Sequence, residues 1–125
     1  MNGPPGGSGA PATGGITGMN IPDAVMDKAY ATFEEWGPKR QIPRRQRLMA
    51  KFPTLSPEQI EWLMTRMEAV SATVWRIAEA GGEAKLGSAR VSERLREEHP
   101  FLRAAGLRQA LFLVSYYAWH EGYDK

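Results

Sequence analysis

Ser56 stands where a helix N-cap belongs, Pro57 occupies the first helical position, and Gln59 completes a capping box three residues after the serine. Leu55 is placed to staple onto Ile60. From this start Ile60, Leu63, Met67, Val70, Val74 and Ile77 recur at spacings of 3, 4, 3, 4 and 3, which predicts a helix presenting one narrow seam to its neighbours. Gly81-Gly82 closes it. At about 1.5 Å per residue, Pro57 to Ala80 would span about 36 Å, so its neighbours must pack along its length. Trp62, Met64 and Trp75 fall off the seam, which implies that more than one face is covered, either by other helices of the same chain or by a second copy.

The shorter segments follow the same logic. Asn20 and Asp23 can cap a first helix, Pro22 is tolerated at its start, and Val25, Met26, Ala29, Tyr30 and Phe33 make one apolar stripe as far as about Trp36, where Gly37-Pro38 stops it. Pro43 to Phe52 is a second helix, with Leu48, Met49 and Phe52 on one side. Ser88 or Ser92 can cap a further helix holding Val91 and Leu95, which ends where His99 meets Pro100. Leu107 to Trp119 leaves almost no polar face, and a helix apolar all round is expected to be buried. No run alternates with period two. The expected fold is all-α, a compact bundle of four to five helices forming one domain over residues 20–125, preceded by a disordered Gly/Pro-rich tail over residues 1–19. Seven of the thirteen glycines lie within Met1–Gly18, with too little apolar area to offset the entropy of ordering them.

Composition excludes several chemistries. Without cysteine there is no disulfide framework, thiolate zinc site or iron–sulfur cluster, and a reducing, cytoplasmic setting is expected. The longest strongly apolar run, Ala110 to Trp119, is far short of the roughly 20 residues of a spanning helix, so no membrane association is expected. Met1 to Pro22 carries no charge and almost no large apolar residue, unlike a secretory signal. Its glycines do not form a phosphate loop, because no G-x-x-x-x-G-K-[ST] string occurs. Neither a G-x-S-x-G elbow nor an H-E-x-x-H pair is present, and the two histidines, His99 and His120, fall in different segments. The chain therefore reads as non-enzymatic, with no cofactor and no metal.

Two stretches remain as contact surfaces. Between Trp36 and Pro57 stand six basic residues and no acid (Lys39, Arg40, Arg44, Arg45, Arg47 and Lys51), leaving ten basic against fourteen acidic residues elsewhere. Such a segment suits an anionic partner, nucleic acid included, through phosphate contacts. No aromatic residue is interleaved with these cations in sequence, which weighs against a single-strand stacking platform. Half of the twelve aromatic residues fall after residue 100, and Tyr117, Trp119 and Tyr123 are expected to form an interface with a protein partner or a second copy.

The order of helix, Gly-Gly, Glu83 to Leu86, helix, then Leu107 to His120 loosely resembles the tri-helical core of helix-turn-helix and winged-helix proteins. That resemblance implies a last helix reading base edges from the major groove. Only Arg108, Gln109, Ser115 and His120 offer it a polar face, so packing is the better account of Leu107 to Trp119. A small interaction or assembly protein is the leading expectation, and nucleic-acid binding through residues 39–51 the alternative.

Overall fold

The capping box at Ser56 closes in both directions: the Gln59 N–H donates to Ser56 Oγ at 3.1 Å and the Ser56 N–H donates to Gln59 Oε1 at 2.8 Å in the computed structural model, which describes residues 18–125. The helix that starts here, Pro57–Glu79, buries all six residues of the predicted seam to 2% exposure or less. Gln59 also donates from Nε2 to the Met19 carbonyl at 3.0 Å. That bond ties the short 3₁₀ turn Gly18–Asn20 to the long helix. The tail expected over residues 1–19 lies, as far as residue 17, outside the described residues.

Six α-helices are present and no strand occurs among the described residues: α1 (Asp23–Phe33), α2 (Arg44–Lys51), α3 (Pro57–Glu79), α4 (Gly82–Leu86), α5 (Ser88–Glu98) and α6 (Ala105–His120). The count exceeds the expected four to five because the connection after Gly81 is itself helical. Gly81 takes φ +109°, a left-handed conformation that reverses the chain directly into α4. At α5 neither serine acts as the cap, since Gly87, at φ 88°, precedes the helix and no side-chain cap bond forms. α1 stops at Phe33, short of Trp36.

α1, α3 and α6 form the centre, with α1 and α6 each packed against α3 and most extensively against one another. α1 and α6 approach tightly at Gly106, where a Cβ would lie 2.3 Å from the Asp27 carbonyl oxygen. Only glycine fits there. Asp27, itself buried, accepts from the backbone N–H groups of Arg103 and Ala104 at 2.8 and 3.1 Å, so a side chain from α1 satisfies donors at the start of α6. The expectation that α6 is buried all round does not hold. Ala110, Leu113, Val114 and Ala118 face the core, whereas Phe112 and Trp119 point into water, because no helix covers that side.

Candidate functional site

The six cations of the basic segment meet different fates. Arg47 is only 9% exposed. Its Nε donates to the Ile42 carbonyl at 2.8 Å, Nη1 to those of Phe33 and Thr32 at 2.9 and 3.2 Å, and Nη2 to that of Arg40 at 3.3 Å. It thereby closes the C-terminal end of α1 and the Pro38–Gln41 turn, where carbonyls lack intrahelical donors. Burial, with Arg44 nearby, lowers its pKa, but a guanidinium stays charged at any working pH. Arg44 pairs with Glu34 at 2.7 Å and lies over the Phe33 ring, 4.9 Å from its centroid. Arg45 pairs with Glu61 across the α2–α3 junction. Lys39, Arg40 and Lys51 are exposed and make no ion pair among the described residues.

Arg40 sits over the Trp36 ring, 5.1 Å from its centroid. Trp36 in turn meets Phe112 and Tyr116 edge-on, with centroids 5.5 and 5.0 Å away. Phe112 and Tyr116 stack at 6.1 Å, and Tyr116 touches Trp119 at 6.1 Å and His120 at 5.5 Å. The result is one continuous aromatic surface running from the α1–α2 connection along α6. Trp119 is 62% exposed, Phe112 48% and Trp36 39%, so this surface holds the most water-exposed rings of the described residues. Side chains of this size bury about 150–250 Å² each when covered, and the exposed part amounts to a few hundred Å², the range in which patches on monomers tend to be functional.

Of the three residues expected at an interface, Trp119 alone lies on this surface. Tyr117 and Tyr123 pack around Trp75 of α3, at 5.0 and 6.3 Å, on another side of α6, and this cluster joins the first where Tyr117 meets Tyr116 edge-on at 5.7 Å. Sequence reasoning missed Trp36, Phe112 and Tyr116. The spacing of 112, 116 and 119 marks one helical face and was available from the sequence, while the arrival of Trp36 beside them is purely tertiary.

Two polar networks link the helices, each running from a buried group out to an exposed arginine. Ser71 Oγ and Arg44 Nη2 each donate to the Glu34 carboxylate at 2.7 Å, and Ser71 shares a 3.0 Å bond with the Tyr30 hydroxyl, whose pKa burial raises far above its ordinary value. Gln109 of α6 donates to the Glu34 carbonyl at 2.7 Å, which binds a fourth element into the knot. Both oxygens of the Glu34 carboxylate have a donor, so the group serves architecture rather than chemistry. In the second network Thr73 Oγ1 and His99 Nε2 are 2.9 Å apart, and Arg76 donates to Glu98 at 2.8 Å and to Thr73 at 3.0 Å. Burial holds the His99 ring below its ordinary pKa, and the Arg76 hydrogen bond holds Glu98 below the usual carboxylate range. His120 instead lies exposed against Glu121 at 3.2 Å. No group of three or more His, Cys, Asp or Glu side chains is placed to hold a metal ion among the described residues.

Of the four side chains that a groove-reading α6 would need, Gln109 is bound to α1 and Ser115 to Glu83 at 3.3 Å. The exposed centre of that face is aromatic. No helix among the described residues is long and apolar enough to cross a membrane. Comparison with protein families, curated proteins and solved structures finds nothing that matches this chain.

Proposed function

We propose that this chain is a non-enzymatic helical interaction protein that captures a protein partner on the aromatic face formed by Trp36, Phe112, Tyr116 and Trp119. One observation carries the reading: large rings stay in water on α6 while the opposite side of the same helix completes the core. Tyr and Trp concentrate at binding hot spots because they bring large rigid area and a polar handle at low entropic cost. Hydrophobic-dye titration of the full chain tests it, with Phe112→Ser and Trp119→Ser together lowering dye binding severalfold at unchanged circular dichroism. Dye binding indifferent to both substitutions would overturn it.

A second reading, nucleic-acid binding, draws support from Arg40 over Trp36, which brings a cation and the aromatic surface together as the linear sequence does not. Ring geometry argues against a base sandwiched between two of these rings, which leaves only stacking on a single exposed face such as that of Trp119. A base inserted between two rings needs roughly 7 Å between parallel planes, twice the contact distance of about 3.5 Å. Here the rings touch one another at 5.0–6.1 Å, several of them edge-on. Light scattering with a mixed nucleic-acid pool at low and high salt separates the two. Complexes that form at low salt, dissolve at high salt and weaken on Lys39→Ala with Lys51→Ala would put nucleic acid first.

A further inference from the structure

A guanidinium has five N–H groups, and at Arg47, only 9% exposed, one of them has no acceptor among the described residues. Nε donates to the Ile42 carbonyl, and the two Nη1 hydrogens serve the carbonyls of Phe33, Thr32 and, at 3.4 Å, Glu35. Nη2 reaches the Arg40 carbonyl alone, at 3.3 Å, which leaves its second hydrogen unused. No carboxylate pairs with this cation among the described residues, although buried charges are ordinarily paired.

Arg47 lines a recess of about 340 Å³, within the size range of small-molecule sites. Thr32 and Glu35 form one wall, Lys39 and Ile42 another, and Ala50 and Lys51 of α2 a third. Three cations thus face one carboxylate, and Glu35 is within ion-pair distance of neither lysine. The other arginines of the segment are engaged elsewhere, Arg44 with Glu34, Arg45 with Glu61 and Arg40 with Trp36. A helix C-terminus such as that of α1 ordinarily repels an anion, but the carbonyls that would do so are those Arg47 has taken. We infer that the recess binds a small phosphate monoester of the sugar phosphate class, its dianionic head held by Lys39, Lys51 and the unused N–H of Arg47, its organic part on Ile42 and Ala50 with a hydroxyl donating to Glu35. A nucleic-acid strand fits less well, since it carries one charge per phosphate along an extended backbone, whereas these donors converge beside a carboxylate. The site shares no residue with the aromatic face and stands whether or not that face docks a protein.

Calorimetric titration of the full chain at fixed ionic strength and pH 8, where a monoester is doubly charged, compares ribose 5-phosphate, inorganic phosphate and ribose. Ribose 5-phosphate should bind once per chain and more tightly than inorganic phosphate, with no signal from ribose. Lys39→Ala with Lys51→Ala, both at exposed positions, should lower affinity for either phosphate by about tenfold at unchanged circular dichroism. Glu35→Gln removes a like charge from the wall and should tighten inorganic phosphate severalfold. Arg47 stays in place because it closes α1, and its side-chain N–H resonances should shift on binding. Binding that survives the lysine substitutions, ignores Glu35→Gln or leaves the Arg47 resonances unmoved lies elsewhere and overturns the site, as does no binding of either phosphate. Inorganic phosphate held as tightly as ribose 5-phosphate overturns the monoester in favour of a bare anion. A chain that ignores ribose 5-phosphate but binds a single-stranded oligonucleotide through the same lysines makes nucleic acid the occupant, and the small ligand falls with that result.

Discussion

α6 carries two aromatic clusters on different sides, joined only where Tyr116 meets Tyr117 at 5.7 Å, and the chain treats them differently. On one side Tyr117 and Tyr123 pack edge-on against Trp75 of α3, and Tyr123 reaches that position because Gly122, at φ 79°, turns the chain back after the helix. The bond from the Asp124 N–H to the Ala118 carbonyl, at 3.3 Å, holds the reversal. On the other side Phe112, Tyr116 and Trp119 have only Trp36 from a connecting segment, and no element closes over them. Both Trp75 and Trp36 keep somewhat over a third of their surface in water. The difference lies in their neighbours, since Phe112 and Trp119 are more exposed than either. The same residue types on one helix thus contribute to stability where α3 and the terminal turn meet them, and are left for contact where nothing does.

Substitutions that separate folding from binding test this contrast, and the largest effect is expected where α6 is seated. Gly106→Ala puts a Cβ 2.3 Å from the Asp27 carbonyl oxygen, so α1 and α6 must part. A loss of about 3 kcal/mol is expected, at the upper end for overpacking, seen as a lower urea midpoint with both clusters disrupted together. Tyr117→Ala comes next and strikes the closed cluster, touching the open surface only at the Tyr116 contact, 5.7 Å away. Removing a half-buried ring in contact with Trp75 should cost about 2 kcal/mol, with dye binding at Trp119 unchanged. Were Tyr117→Ala neutral in urea, the closed side would not be the stabilising one.

A pH effect follows, located away from both clusters and therefore a control on them. An unfolded histidine takes up a proton near pH 6.5, while burial keeps folded His99 neutral to lower pH. The unfolded state then binds more protons in that interval. Stability is complete above about 6.5 and declines as pH falls toward the lowered folded value. Glu98, held low by Arg76, acts in the same direction further down: its contribution is present above the ordinary carboxylate range and is lost as pH falls through its folded value. Urea midpoints at pH 7.5 and 5.5 measure the effect, and His99→Gln should remove most of the difference between them.

How far the sequence could be read depended on how local each determinant is. The capping box and seam of α3 involve neighbours within a few residues and were readable in full. α2, predicted from Pro43 to Phe52, forms over Arg44–Lys51 for the same reason. α4 is five residues long and is held by packing against α5 and α6, so no periodicity announces it. Charge counting marked 39–51 as basic but could not distinguish Arg47, whose role depends on unsatisfied carbonyls at the end of another helix. The aromatic surface was half readable: Trp119 was expected at an interface, Phe112 and Tyr116 share its face by spacing, and Trp36 joins them only through the α1–α6 contact.

The smallest expected effect on stability belongs to the residue expected to matter most for contact. Trp119 is 62% exposed, and its ring meets Tyr116 and His120 of its own helix. Truncation to alanine removes little area that folding buries, and alanine is the better helix former. The expected change in unfolding free energy is within about 0.5 kcal/mol, the range of surface substitutions away from special features. Phe112→Ala should cost somewhat more, because its ring also covers Trp36 and Tyr116. Measured together, urea midpoints and dye binding place each variant on two axes. Trp119→Ala should move along the binding axis alone, and Tyr117→Ala along the stability axis alone. A Trp119→Ala protein that unfolds as readily as Tyr117→Ala would mean that the open face is stabilised from within the chain, and the distinction between the two sides of α6 would be lost.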